Sequence, residues 1–594
     1  MGLNHHRPSQ FMYASGPGSI LETTGGPVIV KGPEFLFEKV ERWSTIVNNQ
    51  SRNLSITDFE ISERRLSGHL GGARLVRLPS NEELGKVGRD AIYPTLGRIP
   101  SWSICENHEI LYKGWSGGRY NVCWKCRNEF KEKDEKMSFN EIKRIAADHA
   151  VRFVSGCHMG HLGDVPWKDL VCEDGCDSNW MWWSGGGRKI GSIWIKCNKC
   201  SGKKNLGSLW SSEHACSGWH WHTHKEEQCT ASAHMLQRGS AGLWIPEISS
   251  SLDISGLPAS VFKALTDTSL ISALKMVRDE DGVSKEGFLR ALNACSLPDS
   301  AKESLRNRSS DEQKWRILHS AIEKEIFGND ISEDLKAEEF MALVNASENG
   351  SPPPPVFPDD SRESLLRVNS THNYDIDIGR GRRIRVVPIE RLRVVSALIG
   401  FRREVSSERP GEIVSLSFNN GGEWYPAMEN FGEGFFVHLV EGGSPIADDN
   451  SRTEIWNRRS VDDMNSHPVH IWWHTLSHRL IDLMGLDSGF SSASIRERTY
   501  FSNSDTPRGG ILLYTSQPGG DGTMGGLVGI AKDKDTMSDI VERALRESRV
   551  CSNDPICEEA VNTNEGAACY ACCMVSETSC EHRNKLIDRL ILVG

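Results

Sequence analysis

"CSNDPICEEAVNTNEGAACYACCMVSETSCEHRN", Cys551 to Asn584, places six cysteines within thirty residues, after more than 250 residues that hold none. Disulfides, a metal cage and a reactive thiol centre are the three chemistries open to it. The first residues, MGLNHHRPSQFMYASGPG, lack the cationic start and apolar core of a secretory signal, so the chain is expected in the reducing cytoplasm, where disulfides do not persist. Cys569 and Cys572 then read as a two-residue knuckle, with Cys580 following and Cys557 or Cys551 completing a tetrahedral zinc set. Cys573, beside a ligand, is spare. A C-x2-C redox pair would need a strand–turn–helix setting that "AACYACC" does not offer, and a nucleophile would need a base whose nearest candidate, His582, is close in sequence only.

Clustering is the rule throughout: of the 17 cysteines only Cys295 stands apart, in a helical segment where it reads as a small core hydrophobe. In "SWSICENHEILYKGWSGGRYNVCWKC", Cys105 and His108 are followed by Cys123 and Cys126, two knuckles able to converge on one closed ion. Further on, Cys197 and Cys200 make a knuckle that Cys216 and Cys229 are expected to complete. Upstream Cys157, His161, Cys172 and Cys176 form a possible second set, with exchange between the two sets left open. Sets with four protein donors leave no position for substrate, so about three or four structural Zn2+ ions are expected.

At 594 residues the chain exceeds one core, and a net charge of −11 excludes a general polycation. Its mean hydropathy of −0.43, with no apolar run near the length of a bilayer span, gives no membrane association. The fold class read from these patterns is α+β multidomain, with small zinc-ribbon-like modules, a helical insert and a mixed α/β zinc-binding C-terminal domain. Residues 1–100 contain short strands such as "GPVIVKG" and "GARLVRLPS", and 101–150 hold the first knuckles and a helix, "MSFNEIKRIAADHAVRF", capped by Ser138 with Glu141. A second zinc module covers 151–252. Helical periodicity marks 253–350, a proline-rich linker 351–368, and the last domain 369–594.

Within the last domain, "IERLRVVSALIGFRREV" reads as an amphipathic helix through Leu392, Val395, Leu398 and Ile399. "HPVHIWWHTLSHRLIDLMG" reads as a long helix stopped by Gly485. His470, His474 and His478 recur along it, but H-T-L-S-H lacks the Glu of a zincin, so they read as packing histidines. "GGILLYTSQPGGDGTMGGLVGIA" is a strand, a glycine-rich turn and a helix without the Lys of a P-loop. "RDEDGVSKEGF" fails as a calcium loop, because Phe288 stands where the bidentate acid belongs. A DNA-phosphate strip is a candidate at Arg380, Arg382, Arg383, Arg385, Arg391 and Arg393, against the alternatives of solvated arginines or an acidic partner's docking face. The "ETSCEHRNKLIDRLIL" end reads as a terminal helix.

"HTLSHRLIDLMGLDSGFSSASIRER", "GGILLYTSQPGGDGTMGGL", "CSNDPIC" and "AACYACCMVSETSCEHRNKLIDR" resemble the helicase-associated zinc-binding C-terminal domain. "RPSQFMYASGPGSILE", "RFVSGCHMGHLGDVPW", "QRGSAGLWIP" and "IERLRVVSALIGF" resemble the DrmB family of DISARM anti-phage defence. The resemblance implies a chain without its own motor that associates with DrmA, a superfamily 2 helicase-like ATPase, and meets DNA through that complex. It also implies Cys551, Cys557, Cys569, Cys572 and Cys580 as the C-terminal cysteines, five for four places, with Cys551 the first to set aside. His108 departs from the cysteine expected there. Two rival functions are a metal-dependent hydrolase or nuclease with an open zinc site among His161, His474 and His478, and a cysteine-based redox sensor.

Overall fold

The computed structural model describes residues 8–23, 26–33, 45–47, 50–52, 56–79, 95–114, 122–138, 141–142, 148–185, 189–255, 257–280, 282–328, 334–349, 365–405, 410–419, 422–460, 464–488, 491–502, 507–518, 526–559 and 566–593. The proline-rich run 351–364 and the glycine-rich turn 519–525 lie outside them. The chain divides into two compact units, Met1–Ile61 with Ala73–Ser249 and Ser396–Met428, and Ser62–Gly72 with Ser250–Val395 and Glu429–Gly594. Each is assembled from stretches distant in sequence.

The first unit is built on short antiparallel strands. Six form one sheet in the order Asp148–Ala150, Trp102–Cys105, Ile110–Lys113, Trp180–Ser184, Trp194–Cys197, Lys203–Asn205. Alternation sets its buried face: Ile195 is enclosed while its neighbours Trp194 and Lys196 are exposed. Trp102, Leu111, Trp167, Met181, Ile195 and Met235 share one core. A second sheet pairs Leu162–Gly163, Phe153–Gly156, Ser232–Gln237 and His214–Ala215 in that order. Ser138 and Glu141 do form the reciprocal cap, with Glu141 N–H donating to Ser138 Oγ at 3.3 Å and Ser138 N–H to Glu141 Oε2 at 2.8 Å. The helix expected to follow does not run to Phe153, because Asp148–Ala150 is already a strand paired with Trp102–Cys105.

Arg403 ties this unit together. Its fully buried guanidinium donates to the carbonyls of Gly160 at 2.9 Å and Gly18 at 2.7 Å, and to that of Leu243. Burial brings its pKa down to about 9. Three loops thus share one cation.

In the second unit the helices Ala259–Leu265, Thr268–Val277, Lys285–Ala294, Asp299–Arg308 and Glu312–Ile322 enclose a core of their own that includes Leu270, Phe288, Leu292, Trp315 and Cys295. Asp267, Ser284 and Asp311 cap three of them through side-chain oxygens, the role their residue types favour. The helix Pro468–Ser488 is buried on nearly every face and passes through Gly485 instead of ending there. Ile471, Trp473, Leu476 and Leu480 meet Val437, Ile511 and Leu513 from the strands Trp424–Leu439 and Arg508–Pro518.

The stretch "IERLRVVSALIGF" lies inside one long strand, Arg383–Arg402, and not in a helix. Leu392, Val394, Val395, Ala397 and Leu398 are all buried, so the apolar run has no single face, and periodicity does not separate a doubly covered strand from a helix. The β-branched residues Val386, Val387, Ile389, Val394 and Val395 favour the strand. The expected terminal helix is likewise absent: the described end holds one 3-10 turn, Arg589–Leu592.

Buried charges join the insert to the strands of the same unit. Arg498 donates to Glu339 at 2.9 Å and to the Ser250 carbonyl at 2.9 Å, and Glu339 also accepts from the Leu252 N–H at 2.9 Å. Nearby, Glu63 and Asp253 face Arg393; burial, then the Asp253 charge, push Glu63 up to about 7 against the pull of Arg393 and Arg65. Below pH about 4.5 this carboxyl is protonated in both folded and unfolded chains, and its contribution is fully present. It is lost as pH rises through about 7, because only the unfolded chain ionises freely. Glu63→Gln should therefore flatten the fall in stability between pH 5 and 8, by up to about 3 kcal/mol, in denaturant titrations at the two pH values; an unchanged difference would refute it.

Candidate metal centres

Four donor sets of sulfur and imidazole nitrogen, each with its donor atoms within 4.8 Å of one another, are assembled by these strands and turns. In the first, Cys105 ends the strand Trp102–Cys105, His108 lies in the following turn, and Cys123 and Cys126 sit at the start of the helix Trp124–Lys133. His108 Nδ1 lies 3.5, 3.7 and 3.4 Å from the sulfurs of Cys105, Cys123 and Cys126, and Cys105 and Cys126 are 3.5 Å apart. A tetrahedron with Zn–S about 2.3 Å and Zn–N about 2.0 Å has edges of about 3.3–3.8 Å. The set fits. His108 Nε2 meets Glu129 Oε1 at 2.7 Å, the outer carboxylate that fixes a ligating imidazole.

The middle cysteines pair differently from the sequence expectation. Cys157 and His161 join Cys216 and Cys229, while Cys172 and Cys176 join Cys197 and Cys200. The knuckles are nested, outer with outer and inner with inner. Sheet register is the cause: Ser232–Gln237 pairs with Phe153–Gly156 on one side and His214–Ala215 on the other, which carries Cys216 to Cys157. Cys157 Sγ is 3.3 Å from His161 Nδ1, and His161 Nε2 contacts Glu227 Oε1 at 2.9 Å, repeating the imidazole–carboxylate pattern of the first set. Cys176 and Cys197 are 3.7 Å apart. A β-carbon at Gly218 would lie 2.0 Å from the Glu227 carbonyl, so the turn after Cys216 admits only glycine.

In the opening stretch, Cys551 and Cys557 close the set with Cys569 and Cys572, at 3.5 Å for Cys551–Cys569 and 3.7 Å for both Cys557–Cys572 and Cys569–Cys572. Cys551 is therefore inside the group and Cys580 outside it, the reverse of the expectation. Cys580 lies beside His474, its sulfur 3.2 Å from Nε2. Cys573 stays outside the four-cysteine set.

The thiols show the strain of crowding. A hydrogen bond from Cys216 holds Cys157 down at about 4 and drives Cys216 itself up. Burial opposes ionisation of Cys197, yet the backbone N–H groups of Cys200 and Lys199 bring it to about 6; Cys569 similarly reaches about 7 against burial through the Ala571 N–H and its neighbouring thiols. Cys105, Cys172, Cys557 and Cys572 are pushed up. In three of the four sets one thiolate is stabilised while others are opposed, and in the first set burial pushes up both Cys105 and Cys123; a divalent cation relieves either situation.

Of the three stripe histidines, His470 is satisfied by the Asn465 carbonyl at 2.7 Å and the Thr499 hydroxyl at 3.2 Å, as packing requires. His474 and His478 instead converge with Glu497 and Cys580. His161 belongs to a different set from these two. The arginine strip is paired: Arg380 with Asp449 at 2.8 Å, Arg382 with Asp448 at 3.1 Å, Arg383 with Glu441 at 2.7 Å and Arg385 with Asp375 at 2.8 Å. Arg391 lies 5.7 Å from the Phe431 ring centre, and Arg393 is buried on Asp253 and Glu429, which removes it from any surface strip. Glu497, the outer carboxylates Glu129 and Glu227, and Arg403 are residues that motif spacing did not indicate.

Comparison with known proteins adds two family matches. Residues 7–245 match a domain of unknown function (DUF8724), and residues 476–573 match the MrfA Zn-binding domain. The second match holds all four cysteines of the last set and stops before Cys580. The DISARM protein DrmB of Bacillus paralicheniformis is 28% identical over 541 residues, which span 80% of this chain and 87% of that one. The resemblance read from the motifs is thereby shown. A crystal structure of the DUF1998 helicase MrfA bound to DNA aligns with 32% of this chain and 21% of that chain at 13% identity, with a TM-score of 0.17, too low to carry an argument. Among the described residues no helix is long and apolar enough to cross a membrane.

Nested pairing makes a count that discriminates. Cys197→Ser and Cys216→Ser should each remove one zinc equivalent and the double variant two, by elemental analysis of folded protein; loss of a single equivalent in the double would place both cysteines on one ion. Cys551→Ser should likewise cost one equivalent, and a full complement in that variant would return Cys551 to the spare position.

Proposed function

We propose that this chain is a non-catalytic, zinc-stabilised accessory subunit of a DISARM-type anti-phage defence complex, working in the cytoplasm with a helicase-like ATPase of the DrmA kind and helping it engage or gate foreign DNA. The supporting observation is the conjunction of extended similarity to a DISARM protein with four donor sets, each supplying four protein ligands. Zinc filling such sets has no open position for water or substrate, so its contribution is to hold loops in register. The ligands are Cys105, His108, Cys123 and Cys126; Cys157, His161, Cys216 and Cys229; Cys172, Cys176, Cys197 and Cys200; and Cys551, Cys557, Cys569 and Cys572.

DNA contact by this chain, where it occurs, falls on Arg380, Arg382 and Arg383. Their carboxylate partners are exposed, and exposed pairs contribute little, so a polyanion can take the place of Asp448, Asp449 and Glu441 at small cost. Changing the three to alanine should weaken DNA binding of the assembled complex and reduce its salt dependence; unchanged binding removes the strip from the interface. The role itself is tested by co-expression with the ATPase. Stable co-purification and altered DNA-stimulated ATP turnover are expected, and a chain that neither associates with the ATPase nor alters its turnover overturns the reading. Nuclease or peptidase activity in the isolated, zinc-replete chain would favour the hydrolase instead, and zinc release with disulfide formation under mild peroxide the redox sensor.

A further inference from the structure

We propose that His474, His478, Glu497 and Cys580 form a fifth metal centre, a closed site of two imidazoles, one carboxylate and one thiolate for a divalent cation of borderline softness, zinc above all. It is separate from the four sets assigned above.

Three parts of the second unit supply the donors. His474 and His478 are one helical turn apart on Pro468–Ser488, Glu497 lies in the strand Ile495–Ser502, and Cys580 comes from the last turns of the chain. All four residues are buried. His474 Nδ1 is 2.9 Å from the Leu586 carbonyl and His478 Nδ1 is 2.8 Å from the Cys573 carbonyl. A carbonyl only accepts, so both Nδ1 atoms carry hydrogen and each neutral ring turns its Nε2 lone pair inward.

Those lone pairs point at a carboxylate oxygen and a thiol sulfur. Glu497 Oε1 is 3.0 Å from His474 Nε2 and 3.4 Å from His478 Nε2, and Cys580 Sγ is 3.2 Å from His474 Nε2. Neither His478 Nε2 nor Glu497 Oε1 has a hydrogen-bond partner, although both are buried. Burying two such atoms face to face is costly. Placing one proton on one imidazole resolves one of these contacts and leaves the other ring with a lone pair toward the same oxygen. A divalent cation resolves all of them, and one carboxylate with one thiolate balances its charge.

The surroundings support that arrangement. Ser477 Oγ donates to the other Glu497 oxygen, and the N–H groups of His582 and Asn584 donate to Cys580 Sγ at 3.3 and 3.2 Å, the outer hydrogen bonds that orient ligands and stabilise a thiolate. Among the described residues the ion-pair partners of Glu497 are these two imidazoles. The four donors close the site, so its ion is structural: it fastens the central helix to the chain end. The carbonyl that fixes His478 belongs to Cys573, next to Cys572 of the neighbouring set, so the two centres brace one segment.

The test is zinc content of the purified full-length chain. Cys580→Ser and His478→Gln should each bind one equivalent less than the parent, Cys572→Ser should lose a different equivalent, and Cys580→Ser with Cys572→Ser should lose two. Cys580→Asp, which keeps an anionic donor, should retain the ion. Equal zinc in the parent, Cys580→Ser and His478→Gln overturns the proposal in favour of an imidazolium–carboxylate pair, and leaves the four assigned sets untouched, since those are scored by their own cysteines. Should the variants fail to fold, anomalous diffraction at the zinc edge from the unaltered chain decides: a peak among the four donors is expected, and no peak there overturns the site.

Discussion

Sulfur and nitrogen donors held about 3.3–3.8 Å apart repel one another once more than one is ionised, and the electrostatics of the four donor sets follow from that. Three of the four donor sets stabilise one thiolate with backbone N–H groups or a neighbouring thiol and oppose others, while in the first burial opposes both Cys105 and Cys123. A cation at the centre turns the repulsion into the strongest attraction in the module. The short strands around the first three sets bury modest cores of their own, so metal held by these donors would take the part that a larger apolar interior plays elsewhere.

The same electrostatic logic governs the other charges. Arg403, Arg498 and Arg393 are buried, and each is surrounded by carbonyls or carboxylates of its own unit. Removing one partner from such a network leaves a desolvated charge, which is far more damaging than loss of an exposed pair. The surface pairs of Arg380, Arg382 and Arg383 are the opposite case, easily broken and therefore suited to exchange with an incoming anion.

The helices of the insert were legible because their signal is local. Asp267, Ser284 and Asp311 each satisfy an N–H two or three residues away, and the apolar periodicity of the following residues needs no distant partner to be recognised. Arg383–Arg402 was not legible in this way, since burial on both sides erases the period that distinguishes strand from helix. Gly485 gave a false stop for a related reason: a helix enclosed by its own unit is stabilised by packing at a cost in propensity of only about 1 kcal/mol for one glycine.

Residue order alone groups the cysteines into knuckles and marks the chain as a multidomain α+β protein similar to a DISARM component. Two-residue spacing within a knuckle is a property of one tight turn, so it can be read without knowing the fold. Which knuckle meets which is set in three dimensions. The register that carries Cys216 to Cys157, the entry of Cys551 in place of Cys580, and the convergence of His474, His478 and Glu497 on Cys580 all depend on strands and a helix separated by tens of residues. Such pairings are fixed by the packing of apolar faces, and spacing along the chain carries no record of it.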